Sequence, residues 1–260
     1  MDTLQNEINC YWSNRAESYS EVNQSELQGR QHLAWQKLIS QTIEKYLASK
    51  SVNEISVLDM GTGPGFFAIV LAELGYKVTA YDANHEMLKQ AKLNAKALAQ
   101  QIKFDQGDAQ EVTYADNSFD VVISRNLTWI LPQPEIAYKE WSRVLKPHGL
   151  LINFDANWYN YLYDEEKKAA FEQDRIKVAE QNYEDHYLTT DMETMERLAL
   201  QVPLSAIIRP DWDINVLQKY GMHNIKVNTE INEIVLSEVE KLNYASTPYF
   251  MITAVKELSL

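Results

Sequence analysis

Between residues 33 and 47 the apolar positions Leu33, Trp35, Leu38, Ile39, Ile43, Tyr46 and Leu47 recur every three or four residues, which predicts an amphipathic helix. Beyond residue 50 the rhythm changes. Short apolar runs at 55–58, 77–81, 102–104, 119–124 and 150–154 alternate with helical stretches at 66–74, 87–100 and 136–145. The run 119–124 has no polar alternation apart from Asp120, as expected of a strand covered on both faces. The helix at 136–145 is stopped by Lys146-Pro147-His148-Gly149. Strands alternating with helices predict a parallel sheet with right-handed crossovers. From 155 to 209 that alternation stops. This stretch is aromatic and acidic, with helical periodicity at 165–178 and 190–200. It resumes with a helix at 212–220, closed by Gly221, and strands at 223–233 and 248–256 around a short helical stretch near 236–242. The simplest parse is one α/β core, 1–154 and 210–260, with a helical insertion at 155–209.

Composition narrows the function classes. The chain has 260 residues, 45% hydrophobic and 23% charged, which suits a folded protein with a sizeable core. Its net charge of −13 argues against a nucleic-acid partner, because a phosphate backbone needs a basic footprint. A single cysteine, Cys10, excludes a disulfide framework and a cysteine-cluster zinc site. Residues 1–10 carry no apolar signal core, and no stretch reaches membrane-span length. A cytoplasmic protein with no membrane partner is the expectation. Oligomeric state is not legible.

The densest chemical signal is Val57-Leu58-Asp59-Met60-Gly61-Thr62-Gly63-Pro64-Gly65-Phe66-Phe67. It reads strand, glycine loop, helix, which brings free backbone N–H groups and a positive helix end beside a ligand. A dinucleotide loop requires a third glycine where Phe66 stands, and a phosphate loop requires Lys and Ser/Thr after its last glycine. Neither phosphate reading fits. Asp59, two residues before the first glycine, suits a cationic group.

This segment resembles the D/E-x-G-x-G-x-G motif of class I S-adenosylmethionine-dependent methyltransferases, and other landmarks follow in order. Asp82 ends the second strand, Gly107-Asp108-Ala109 follows the third, and Phe119 to Asn126 resembles the fourth strand and its active-site end. Leu145-Lys146-Pro147-His148-Gly149 resembles the usual approach to the fifth strand, with His148 replacing a glycine. Tyr11 to Tyr19 resembles the N-terminal helix of small-molecule members. The resemblance is strong over 52–154 and looser over 8–50 and 212–256. It implies a Rossmann-like, seven-stranded, mostly parallel sheet with helices on both faces, the last strand antiparallel. It also implies S-adenosylmethionine as cofactor, S-adenosylhomocysteine as product and a small-molecule acceptor. The implied cofactor residues are Tyr19, Asp59, Gly61, Thr62, Gly63, Gly65, Asp82, Ala83, Asp108, Ala109 and Arg125, with Asp82 on the ribose and Asp108 at the adenine.

Acceptor chemistry is less constrained. Asn126 and Arg125 sit where a parallel strand meets its ligand. Asp155 ends the fifth strand, and His186 is the candidate base. Trp158, Tyr159, Tyr161 and Tyr187 in the insertion suit an apolar acceptor chamber beneath a lid. The insertion holds twelve acids against four bases between 155 and 196, which would favour a cationic acceptor if some face inward. The five histidines are too scattered for a metal site, and Asp164-Glu165-Glu166 reads as helix-dipole partners, so no metal is expected. Two other readings remain: a nicotinamide-type oxidoreductase on a similar sheet, against which Phe66 counts, and a non-catalytic S-adenosylmethionine-binding module, against which the insertion counts.

Overall fold

Runs of β-branched and aromatic residues two apart drive the strands, because successive side chains on a strand point to opposite faces. In the computed structural model, which describes residues 2–188 and 190–258, these runs form one seven-stranded sheet. Met1, Thr189, Ser259 and Leu260, which fall within the two segments assigned from sequence, lie outside the described residues. The elements are α1 (Asp2–Gln28), α2 (Arg30–Leu47), β1 (Ser56–Met60), α3 (Phe66–Glu73), β2 (Lys77–Asp82), α4 (His85–Ala95), β3 (Ile102–Gln106), β4 (Phe119–Arg125), α5 (Pro134–Val144) and β5 (Leu145–Asp155). They continue with α6 (Glu165–Glu180), α7 (Met192–Ala199), α8 (Asp211–Lys219), β6 (Met222–Asn228), α9 (Asn232–Val235), α10 (Glu238–Asn243) and β7 (Phe250–Lys256). The strand order is β3-β2-β1-β4-β5-β7-β6. The first five strands pair in parallel, and β7 runs antiparallel to both neighbours, β5 and β6. This is the α/β, seven-stranded arrangement the resemblance implies.

Both sheet faces are covered. Val57, Val121, Ile123, Leu150 and Ile152 pack on one face beneath α2 and α3, where Trp35, Ile39 and Phe67 are buried. Leu58, Val122 and Leu151 point the other way, onto Tyr138, Trp141 and Leu217 of α5 and α8. The alternation within single strands is what lets one short segment serve two cores.

Three boundaries differ from expectation. The helix read as 87–100 divides at Lys96, which takes φ 49°, into α4 and a tighter turn. No glycine or proline marks that break. Strand β5 begins at Leu145, because Lys146 to Gly149 bulge within the ladder instead of lying outside it. His148 takes the left-handed conformation there, at φ 61°, in place of the family's glycine. The strand read as 223–233 ends at Asn228, and Asn232 opens α9.

Candidate active site

The carboxyl ends of β1 to β4 open onto one cleft of about 940 Å³, its mouth included. That lies within the ~300–1,000 Å³ usual for small-molecule sites. The floor is the 59–64 loop, with Asp82, Ala83 and Asn84 beyond β2, Gly107 to Ala109 beyond β3 and Arg125 to Leu127 beyond β4. The roof is α1. Its Gln5, Ile8, Asn9, Trp12, Tyr19 and Asn23 line the cleft from a single stripe, at helical spacing.

Local sequence explains the floor. Asp59 is buried at the end of β1 and accepts a hydrogen bond from the Thr62 hydroxyl at 2.5 Å. Burial pushes its carboxyl up from 3.8 to about 7, against the pull of that hydroxyl. Asp82 accepts from the Gly63 and Asn84 amides, both at 2.8 Å, and burial pushes it up to about 6. Each carboxylate keeps acceptor capacity for a hydroxyl or ammonium group of a ligand. Beyond the loop, Gly65 caps α3 at φ 92°, where a Cβ would stand 2.9 Å from the Ala91 Cβ of α4. Gly107 is held for space: a Cβ there would lie 1.9 Å from the Tyr81 hydroxyl.

The roof is tied to the floor. Glu26 of α1 grips Arg125 through two parallel bonds of 2.9 and 2.8 Å. The guanidinium lies 4.5 Å over the Phe66 ring and 5.5 Å over that of Trp35. Burial opposes its charge, but Glu26 holds it charged well above the ordinary arginine range. Asn84 donates to the Asn9 carbonyl and to the Ser13 hydroxyl, each at 2.8 Å. Neither Glu26 nor Asn23 stands out by residue type. The signal that finds them is that Ile8, Trp12, Tyr19, Asn23 and Glu26 share one helical stripe.

The structure thus gathers Tyr19, Asp59, Gly61, Thr62, Gly63, Asp82, Ala83, Asp108, Ala109, Arg125 and Asn126 around one cleft, with Gly65 just behind it shaping the helix start. The other expected residues lie elsewhere. Asp155 is fully buried and bound to Arg209 at 2.7 Å, to the Thr128 hydroxyl at 2.5 Å and to the Trp129 and Ala156 amides. Its oxygens are taken up in a buried network with Asp213 and Tyr138, so the expected catalytic role finds no ligand-facing atom. His186 stands 2.9 Å from the Tyr244 hydroxyl, away from the cleft lining.

The aromatic chamber is likewise corrected, because its rings pack on one another. Tyr159 stacks on Trp129 at 5.0 Å, Tyr161 on Phe171 at 4.1 Å, and Phe171 meets Tyr187 edge-on at 4.9 Å. Trp158 meets Tyr249 and Tyr244 edge-on. None of these four lines the main cleft. Tyr161 borders a separate, smaller cavity of about 350 Å³ with Asn157, Asn160, Lys167 and Thr247.

The methyltransferase domain family matches residues 58–153, the segment that supplies β1 to β5 and most of the cleft floor. The ubiquinone/menaquinone biosynthesis C-methyltransferase UbiE of Rickettsia felis is 33% identical over 153 residues, covering 56% of this chain and 58% of that protein. The sterol 24-C-methyltransferase of Pneumocystis carinii is 34% identical over 113 residues, covering 42% of this chain and 30% of that protein. The chain spans about half the length of the curated relatives it matches. Among solved structures, phosphoethanolamine N-methyltransferase 2 of Haemonchus contortus, in complex with S-adenosyl-L-methionine, superposes with a TM-score of 0.57 at 17% identity, over 83% of this chain and 51% of that one. That likeness speaks for the fold. Residues 58–153 thus match the methyltransferase domain family, and the sheet and cleft they build have the class I methyltransferase fold.

Proposed function

We propose that this protein moves a methyl group from S-adenosylmethionine to a small-molecule acceptor by in-line displacement. The observation that carries the reading is the convergence of the Asp59 loop, Asp82 and Asp108 on one cleft beneath α1. The donor set suits the cofactor: buried carboxylates for a ribose diol and an ammonium, backbone amides of a glycine loop for a carboxylate, and the 107–109 turn for an adenine. S-adenosylmethionine supplies a methyl carbon already activated by its sulfonium. The protein's share is therefore alignment and exclusion of water. Tyr19, Trp12 and Ile8 on α1 close the cleft from solvent. Arg125, held by Glu26, keeps the end of β4 fixed against that roof. The relatives named above are described as acting on small molecules, which supports an acceptor of that size.

The division into a core of 1–154 and 210–260 and an insertion of 155–209 belongs to the same proposal, with the insertion read as a brace rather than as the acceptor chamber. The stacked rings of Trp129, Tyr159, Tyr161 and Phe171 support this. The acceptor then enters at the β4 end of the cleft, near Arg125 and Asn126.

Calorimetry with S-adenosylhomocysteine and NAD tests the cofactor: the first binds and the second does not. A metabolite extract incubated with methyl-labelled cofactor then yields a labelled product. NAD binding without S-adenosylhomocysteine binding would sink the reading.

A further inference from the structure

Buried polar atoms are normally paired, so those left unpaired at the wall of a cleft mark where a ligand supplies the partner. Two such atoms flank the β4 end of this cleft. Asn23 of α1 is 1% exposed, and its Nδ2 is buried without a hydrogen-bond partner. Asn126, just past β4, donates its Nδ2 to the Tyr249 hydroxyl at 2.7 Å, while its Oδ1 is buried without a partner. Asn126 also sits at φ 57°, a left-handed conformation that non-glycine residues adopt at a cost. Both residues line the same cleft. Asn23 lies one helical turn before Glu26, Glu26 grips Arg125, and Arg125 precedes Asn126.

The charges beside them are accounted for. Among the described residues lining the cleft, Arg125 is the only basic side chain, and Glu26 already pairs its charge through one N–H of each terminal nitrogen. Among the described residues, no cation lines the cleft without a carboxylate partner. The remaining charged residues of the lining, Asp59, Asp82 and Asp108, belong to the cofactor end. Beside Arg125 stand the Asn23 amide donor, the Asn126 amide acceptor and the Tyr19 hydroxyl, all neutral, and the lining adds the apolar side chains of Ile8, Trp12, Ile130 and Leu131.

On the methyl-transfer reading above, we infer that Asn23 and Asn126 position the acceptor, and that the acceptor is an uncharged, largely apolar molecule carrying a hydroxyl or carbonyl group. The Asn126 carboxamide oxygen accepts from the hydroxyl, or the Asn23 amide donates to the oxygen. Neither side chain takes a proton, so both orient the acceptor and take no part in the chemistry. An anionic acceptor would leave its charge buried without a counter-ion.

The test uses the whole protein saturated with S-adenosylhomocysteine and three probes that share one ring system: 2-naphthol, 2-naphthoate and 2-naphthylmethylammonium. Wild type binds the naphthol at least tenfold more tightly than either charged probe. Asn23→Leu and Asn126→Gly, the latter free of strain at this φ, each weaken naphthol binding about five- to tenfold, the scale of one lost neutral hydrogen bond. Both keep S-adenosylhomocysteine affinity within about twofold, which also reports that they fold. Asn126→Asp preserves shape and adds a charge, and it moves the preference to the ammonium probe, a change that a purely structural residue does not produce. The inference is overturned if naphthoate binds as tightly as naphthol, or if naphthol fails to bind at millimolar concentration. It also falls if the two variants lose S-adenosylhomocysteine and naphthol in parallel, which assigns the amides to the cofactor. Wild type that binds no S-adenosylhomocysteine at all overturns the methyl-transfer reading itself, a result distinct from the others.

Discussion

Helix α1 and the 155–209 segment look alike as sequence. Both are helical, acidic and aromatic, and both adjoin the edge of the sheet where ligands bind. In the structure they differ in which of them lines the cleft. The insertion packs on itself and on the core: Tyr161 stacks on Phe171, its hydroxyl donates to Glu196, and Arg175 binds Asp185 and, from α10, Asn243. Helix α1 instead lines the cleft with Tyr19, Trp12 and Ile8, and there the Asn23 amide is unpaired. Aromatic density therefore does not by itself mark a pocket. Residual hydrogen-bonding capacity beside a glycine loop does.

The largest expected effect is at the insertion's anchor. Asp155→Ala leaves Arg209 buried against a single remaining carboxylate, and removing one partner of a buried ion pair costs about 3–5 kcal/mol. Chemical denaturation should show a loss of that size. A variant with full stability and no turnover would return Asp155 to the chemistry and break the contrast. Next, Tyr161→Ala removes a stacked, buried ring and is expected to cost about 2–4 kcal/mol of stability. Its S-adenosylhomocysteine affinity should match wild type by calorimetry, whereas equal losses in both would make the insertion part of the ligand site.

The cleft should behave the opposite way. Asp82→Ala is expected to weaken S-adenosylhomocysteine by about 1.5–3 kcal/mol, the scale of hydrogen bonds to a charged group, while the fold stays intact. Unchanged affinity would detach Asp82 from the ribose.

The smallest effect is that of pH. Asp59 and Asp82 are held near 7 and 6, above their ordinary 3.8. Their contribution to folding is full below about pH 4 and is lost as pH rises through 6–7, because the folded state holds the proton longer than the unfolded chain. In that window the ionised carboxylates that a ligand needs are appearing. Affinity for S-adenosylhomocysteine should therefore rise about tenfold between pH 6 and 8, mostly through Asp59, while the ligand-free protein loses stability. Affinity that falls with pH would contradict the assignment.

Legibility in the sequence followed range. The 59–65 loop, Asp82 and Asp108 could be read because a strand, a turn and the next helix are consecutive, so local order fixes where those residues stand. The seven strands could be read for the same reason. Asp155 could not, since the end of a strand looks the same whether its acid meets a ligand or an arginine 54 positions away. The four insertion rings could not, because packing partners such as Phe171 and Trp129 are chosen by the tertiary fold. Glu26 was invisible by type and becomes visible only through its stripe on α1.

The tethers of α1 reach 75, 99, 105 and 190 positions along the chain, to Asn84, Arg125, Gln110 and Arg197. During synthesis this helix leaves the ribosome before the strands it docks on, so its docking surface is complete only after most of the sheet has formed. Contacts of such sequence separation form late, after the loop-closure cost has been met by other elements. Elements that cover a ligand site are also drawn from the low-stability end of local unfolding. The roof of the cleft is thus the part of the molecule best placed to detach while the sheet persists. In native-state hydrogen exchange the amides of α1 should open well before those of β1 and β4, an opening through which a ligand of the cleft could leave without any loss of the core.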